Sequence, residues 1–469
     1  MLSAVNNSTS LNAQANLSRA SSALSKTTQR LSSGLKVNSG ADGPAALVIS
    51  EKQRAQISGL KQAIDNSNKA VSVVQTAEGA LNEINSLLVK VRSLAVDSAN
   101  TGVNDADALA ANQAEIANAL DTINRIANNT QFGTKKLLDG SGGITGTSND
   151  ADVSVLKATK DTSAGTFAVA VTTVGERAKV AAGTGQTAAL ATDETLTING
   201  VAIKLDAGSS QAQVVSRIND FSAQTGVTAD ISGGVTRVSS QAFGTDAKLS
   251  IVSNVAAAVD SSGFGTTSSN DTGVDVIGTI NGTSFTGKGN VLTATSGSVK
   301  GLSVRLAADS TDIAKTVTGG QGNVTVVDNS LVFQIGANAN QTAKVAIGRA
   351  NADALGVGVS GNQFNSLNEI DVTSASKAQD ALGVVDSAID NVTNLRGALG
   401  AFQTNTLQAT ASNLQSTLEN TVSAESVIRD TNFAEEIANL TKNQVLVQAG
   451  AAVLKTANQQ PQLILSLLQ

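Results

Sequence analysis

The chain has 469 residues, a formal net charge of −6, ten phenylalanines as its only aromatic residues, and neither histidine nor cysteine. An acidic chain without Trp or Tyr lacks the basic face and the stacking platforms that bind nucleic acid. Without His or Cys there is no disulfide framework, no triad built on a His base and no H-E-x-x-H zinc site; only carboxylate chemistry survives as a catalytic option.

Residues 1–35 carry Leu17, Leu24 and Leu31 at seven-residue spacing, which predicts an amphipathic helix. The stretch lacks the basic start and apolar run of a secretory signal, so any export uses a route that reads no such signal. No run of 18 apolar residues follows anywhere, so no membrane insertion is expected.

Next comes "KVNSGADGPAALVIS", 36–50, which holds one of only two prolines. Proline suits the first turn of a helix, where its missing N–H costs nothing. Asp42 or Ser39 could cap that turn, so the stretch predicts a joint between two helices. From 45 to about 100, Leu60, Val74, Leu81, Leu88 and Ala95 fall seven apart with Ser67 as the polar member, and Ile57, Ile64 and Val71 form a second row. Two such rows make a coiled-coil seam, which must bury against another helix. A shorter helix follows through Leu109, Ile116, Leu120, Ile123 and Ile126.

The middle, 141–328, is rich in Gly, Thr, Ser and Val, with alternating stretches that predict strands joined by glycine turns. "TINGVAIKL" at 197–205 and "TINGTSFTG" at 279–287 form a weak repeat. Helical spacing then returns, in Leu382, Ile389 and Arg396 with Val385, Val392 and Leu399, and later in Leu407, Leu414, Thr421 and Ile428. The last amphipathic piece carries Ile437, Leu440, Val447, Ala451 and Leu454 and ends in "QQPQLILSLLQ". Neither terminal piece buries enough apolar surface to be stable alone; each needs the other or a neighbouring molecule.

Three short motifs invite chemistry. "GTSFTGK", 282–288, matches a phosphate loop but is followed by Gly289 and a strand pattern, so a β-turn is the better reading. Asp105 and Asp107 begin a calcium-loop pattern that stops after two carboxylates; a helix cap is expected instead. Glu435 and Glu436 are adjacent on a helix and point apart. No catalytic residue, cofactor or metal site is expected, and the chain is read as not an enzyme.

"LSSGLKVNSGADGPAALVISEKQRAQISGL", "AEGALNEINSLLVKVRSLAVDSANTG" and "TQFGTKKLLDG" resemble the bacterial flagellins, as does the C-terminal stretch from "LGAFQTNTLQATASNLQ" to the end. Residues 194–254, centred on Ile198, Asn199 and Gly200, resemble a β module found in flagellins and hook proteins. "LVFQIGANANQTAKVAIGRANADALGV", 331–357, resembles a hairpin that many flagellins carry directly after "TQFGTKKLLDG"; here about 190 residues intervene.

The resemblance implies an α+β fold: elongated, with long antiparallel helices from both termini and an inserted β-rich outer module. It implies a terminal coiled-coil domain, 1–40 plus 431–469, lining a filament channel. A helical rod, 41–140 plus 329–430, would carry a hairpin near 331–348, and 141–328 would be the surface-exposed module. The function implied is a structural subunit of the bacterial flagellar filament, outside the cell, exported unfolded by the flagellar type III apparatus. A hook–filament junction protein is the runner-up within the family; an extracellular enzyme or adhesin carried on the outer module is the remote alternative.

Partners implied are further copies of the chain, an export chaperone, the filament cap and hook-junction proteins, and a host Toll-like receptor. Terminal assembly and chaperone binding would fall to Leu17, Leu24, Leu31, Ile437, Leu440, Val447 and Leu454, and to Leu463, Leu465, Leu467 and Leu468 at the extreme end. Gly40, Gly43 and Pro44 would form the joint between inner and outer helices. The receptor patch would be Lys90, Arg92 and Leu94 with Glu115 beside them. An arginine is expected where Lys90 stands in strongly recognised members, and lysine cannot replace its planar bidentate contact.

Overall fold

The computed structural model describes residues 7–100, 102–307, 317–359 and 362–467, without the side chains of Ala223 and 460–467. Eight helices lie among them: α1 (Ser8–Ser33), α2 (Pro44–Ser98), α3 (Ala106–Asn129), α4 (Gln211–Asp220), the single turn α5 (Ser222–Thr225), α6 (Ala375–Ala401), α7 (Ala409–Arg429) and α8 (Phe433–Leu467). Strands occupy the stretch between α3 and α6, so the fold is α+β with helices at both ends. A seven-residue π-helical turn, Phe402–Gln408, joins α6 to α7.

The chain forms two compact units. One comprises Met1–Asn68, Gln334–Thr342 and Leu407–Gln469; the other comprises Lys69–Phe333 and Ala343–Thr406.

At 55 residues α2 is roughly 80 Å long. Its predicted leucine row is buried throughout: Leu60, Ser67, Val74, Leu81, Leu88 and Ala95. The partner row differs from the expected one. Ile57, Ile64 and Val71 are only half buried, while Ala63, Ala70, Ala77, Ile84, Val91 and Ser98 are buried. The second row thus lies three residues after the first, and its N-terminal half is alanine. Alanine adds little to a hydrophobic pattern, yet a small side chain lets helix axes approach closely. The same substitution recurs in α6. Val385, Val392 and Leu399 are buried as expected, but Ala381 and Ala388 complete the seam while Leu382, Ile389 and Arg396 sit at its edge. Within the larger unit α6 runs antiparallel to α2, with Arg92 paired to Asp386 and Arg396 to Glu78.

The β-rich stretch contains two cores, one nested inside the other. The outer one joins a five-stranded sheet, in order Thr283–Thr286, Ile277–Ile280, Gly165–Thr173, Gly319–Asp328 and Ile144–Ser148, with a three-stranded one. Phe167, Val169, Ile280, Leu292, Val304 and Val324 fill the space between. The inner core is built from Leu196, Ile198, Ile203, Leu205 and Val238, covered by Val214 and Ile218 of α4. Its two sheets lie in residues 177–272.

The weak repeat has a backbone cause. Asn199–Gly200 and Asn281–Gly282 both have positive φ (48° and 85°; 53° and 76°). They connect Ile198 to its partner Val201, and Ile280 to its partner Thr283. Two-residue Asn-Gly turns of this handedness match the twist of a hairpin.

If alanine sets the α2 seam, enlarging it should overpack the interface. Ala77→Leu is expected to lower stability by about 1–3 kcal/mol, and Val71→Ala by less. Denaturant unfolding of the two variants decides between the observed and the expected rows.

Candidate functional site

The smaller unit contains an antiparallel pairing of the two chain ends. Asn7 donates to the Ala457 carbonyl (2.8 Å) and Ser10 to the Asn458 side chain (2.5 Å). Asn443 donates to the Thr27 hydroxyl (3.1 Å), and Arg30 faces the buried Glu436 at 3.9 Å. Between these polar ties, Gly450 lies so close to Leu17 that an added Cβ would sit 3.4 Å from the leucine methyl.

The shared face of α1 reads Ala13, Leu17, Ala20, Leu24, Thr27 and Leu31, and that of α8 reads Glu436, Leu440, Asn443, Val447, Gly450, Leu454 and Ala457. Most of these side chains are half buried, because one partner helix covers one side only. Ile437 is not on this face: it is 53% exposed, as Leu11 is at 62% and Val453 at 56%. Val445, Leu446 and Phe433 add to the same uncovered apolar surface. The helix continues to Leu467. The side chains of Leu463, Leu465 and Leu467 lie outside the described residues, as does Leu468 altogether.

The joint is held by hydrogen bonds rather than by glycine. Pro44 opens α2 as expected. Asp42 does not cap that helix; its carboxylate accepts from the Ser39 N–H (3.0 Å), the Ser39 hydroxyl (2.9 Å) and the Asn38 N–H (3.3 Å), closing the loop on itself. The Ser39 hydroxyl bond lowers its pKa below the usual carboxylate value. Gly40 and Gly43 have ordinary backbone angles, and a Cβ at either would meet only normal contacts. The glycine that the geometry requires is Gly34, which ends α1 in a left-handed conformation (φ 71°). Its carbonyl accepts from Thr431 N–H (3.0 Å), and Lys36 N–H donates to the Arg429 carbonyl (2.6 Å). The loop after α1 is therefore tied to the loop before α8. The rule that a helix stops at glycine would have found Gly34 in "RLSSGLK".

On α2, Lys90 pairs with Glu115 of α3 at 2.6 Å, and both side chains are about half exposed. Arg92 turns the other way and grips Asp386 of α6 (2.6 and 3.4 Å). Two residues on a helix are roughly 200° apart, which explains the split. Leu94 is half buried on the Lys90 side, and Val91 is fully buried.

The other motifs take structural places. Asp105 caps α3, accepting from Ala108 N–H at 2.8 Å. Gly282 belongs to a hairpin turn and the following residues to a strand. Glu435 is exposed while Glu436 faces Arg30. Sequence reasoning missed Glu194, a buried carboxylate bonded by the Ser253 hydroxyl (2.5 Å), the Ser262 N–H (2.8 Å) and the Ser262 hydroxyl, which anchors the 253–262 segment.

Comparison with known proteins gives matches at both ends of the chain and in its middle. Residues 5–142 match the bacterial flagellin N-terminal helical region, 382–468 the C-terminal helical region, and 195–255 the flagellin hook IN motif. The chain is 34% identical over 493 residues to the B-type flagellin of Pseudomonas aeruginosa, and 30% identical over 509 residues to the flagellin of Salmonella typhimurium; each match covers 99% of both chains. Among solved structures, a flagellar hook-associated protein-3 from Legionella pneumophila matches 80% of this chain and 97% of that one at 13% identity, with a TM-score of 0.31. No helix among the described residues is long and apolar enough to cross a membrane. The chain belongs to the flagellin family and is a structural subunit of the extracellular bacterial flagellar filament.

Proposed function

We propose that the α1–α8 pair is the element through which copies of the chain assemble. The observation that carries this reading is the half-covered pair itself, with Leu11, Ile437, Leu446 and Val453 left in water. Fully burying one such side chain is worth about 1.5–3 kcal/mol, so neighbours that cover a few of them supply a strong drive to polymerise. In this reading residues 1–40 with 431–469 line the filament channel, 41–140 with 329–430 form the rod, and 141–328 face outward. Leu17, Leu24, Leu31, Leu440, Val447 and Leu454 register the pair, and the extreme C-terminal leucines engage an export chaperone before assembly. A chain with no cysteine and two prolines suits passage unfolded through a type III apparatus, because it avoids disulfide traps and limits slow prolyl isomerisation. The role is mechanical rather than catalytic.

Removing residues 431–469 should leave a soluble chain with folded α2, α3 and β cores that does not polymerise. Light scattering under polymerising conditions checks it; normal filaments from the truncated chain would contradict the proposal.

We also propose that the flank formed by Lys90, Leu94 and Glu115 is the surface through which the monomer engages a host Toll-like receptor. Arg92, tied to α6, acts from the opposite edge. The Lys90–Glu115 pair is exposed, so it contributes little to stability and is available for an exchange of partners. In a reporter-cell assay Leu94→Ala should reduce the response to monomer, and Lys90→Arg should raise it. Equal responses from all three proteins would remove this flank from the account.

A further inference from the structure

A cavity of about 320 Å³ in the larger unit is lined by three cations, Arg177, Lys288 and Arg305. The chain as a whole is acidic, so a local cluster of this sign is unexpected. Arg177 stacks over the Phe243 ring at 4.7 Å, and its Nε is buried without a hydrogen-bond partner. Burial alone pushes the guanidinium pKa down; no neighbouring carboxylate opposes it. Among the described residues no carboxylate lies within ion-pair distance of Arg177, Lys288 or Arg305.

The acids nearest in the chain are engaged elsewhere. Glu176 pairs with Lys179 (3.2 Å), and Asp275 accepts from the Gly289 N–H (2.7 Å) and the Thr245 hydroxyl (2.6 Å). The Asp275 charge still reaches Lys288, which is exposed, so the group that calls for an explanation is Arg177, half buried with its Nε unpaired among the described residues. The "GTSFTGK" motif acquires one here as well: its Lys288 belongs to the cavity, not to a phosphate loop.

The rest of the lining narrows the chemistry. Two guanidinium groups offer planar forks that match a carboxylate. Gln241 makes no side-chain hydrogen bond among the described residues. Asn290 donates to the Leu306 carbonyl (2.9 Å), which leaves its side-chain oxygen to accept from a hydroxyl. The volume lies at the small end of ligand sites.

We propose that this cavity binds a small carboxylated sugar, its carboxylate held by Arg177, Lys288 and Arg305 and its hydroxyls by Gln241 and Asn290. Neutral sugars lack the charge the cavity needs, and simple carboxylates lack the hydroxyls its amides would meet.

The test is calorimetric titration of the full-length monomer with glucuronate, glucose and acetate. Saturable glucuronate binding is expected, with acetate weaker and glucose absent. Arg177→Gln and, at an exposed position that leaves the fold undisturbed, Lys288→Gln should each weaken glucuronate binding about tenfold or more, the loss of one charge-assisted contact. Circular dichroism confirms that both variants are folded. No saturable glucuronate binding, equal binding of acetate or glucose, or undiminished binding in folded Lys288→Gln would each overturn the proposal.

Discussion

Two helices from opposite ends of the chain meet along one face, and each leaves another face uncovered. α1 is 26 residues long and α8 is 35; most helical stability in proteins comes from packing of an amphipathic face rather than from propensity, so their shared face must hold them. Their polar ties, Asn7 to Ala457 and Asn443 to Thr27, fix an antiparallel register over more than four turns. The apolar contribution is incomplete because Leu17, Leu24, Leu440 and Leu454 are half exposed. Within the single chain the pair leaves Leu11, Ile437, Leu446 and Val453 exposed.

The buried rows of α2 from Leu60 onward and of α6 show the opposite regime, whereas α7 has no buried residue and leaves Val422 and Val427 exposed. In α2 and α6 the large side chains lie on one row and alanines on the next, so the seams close within the single chain. Exposed ion pairs such as Lys90–Glu115 and Arg92–Asp386 then decorate a surface whose stability comes from the buried rows. The loop after Gly34, tied to the loop before α8, marks the transition between the two regimes.

Much of this was legible in the sequence, and the limits have physical causes. The leucine row of α2 could be read from spacing because large apolar residues dominate a periodic pattern. The alanine row could not, since alanine is as common on exposed helix faces as on buried ones, and the more hydrophobic Ile57, Ile64 and Val71 drew attention to the seam's edge. The Asn-Gly hairpins of the middle were visible as a repeat. The nesting of two β cores was not, because Gly165–Thr173 pairs with Gly319–Asp328 across 150 residues, and local pattern carries no register over that distance. At the joint the glycines that looked necessary, Gly40 and Gly43, have ordinary backbone angles, and Gly34 carries the strain-free left-handed turn. Ile437 fitted the heptad by spacing yet lies outside the face that meets α1.

The central claim is that neighbouring subunits complete the α1–α8 pair. Amide hydrogen exchange followed peptide by peptide in monomer and in polymerised material tests it most directly, because opening free energy reports how well each helix is packed. The account predicts rapid exchange in α1 and α8 of the monomer, slow exchange of both in the polymer, and little change in the buried seam of α2 from residue 74 to 95. Strong protection of α8 in the monomer, unchanged on polymerisation, would contradict it.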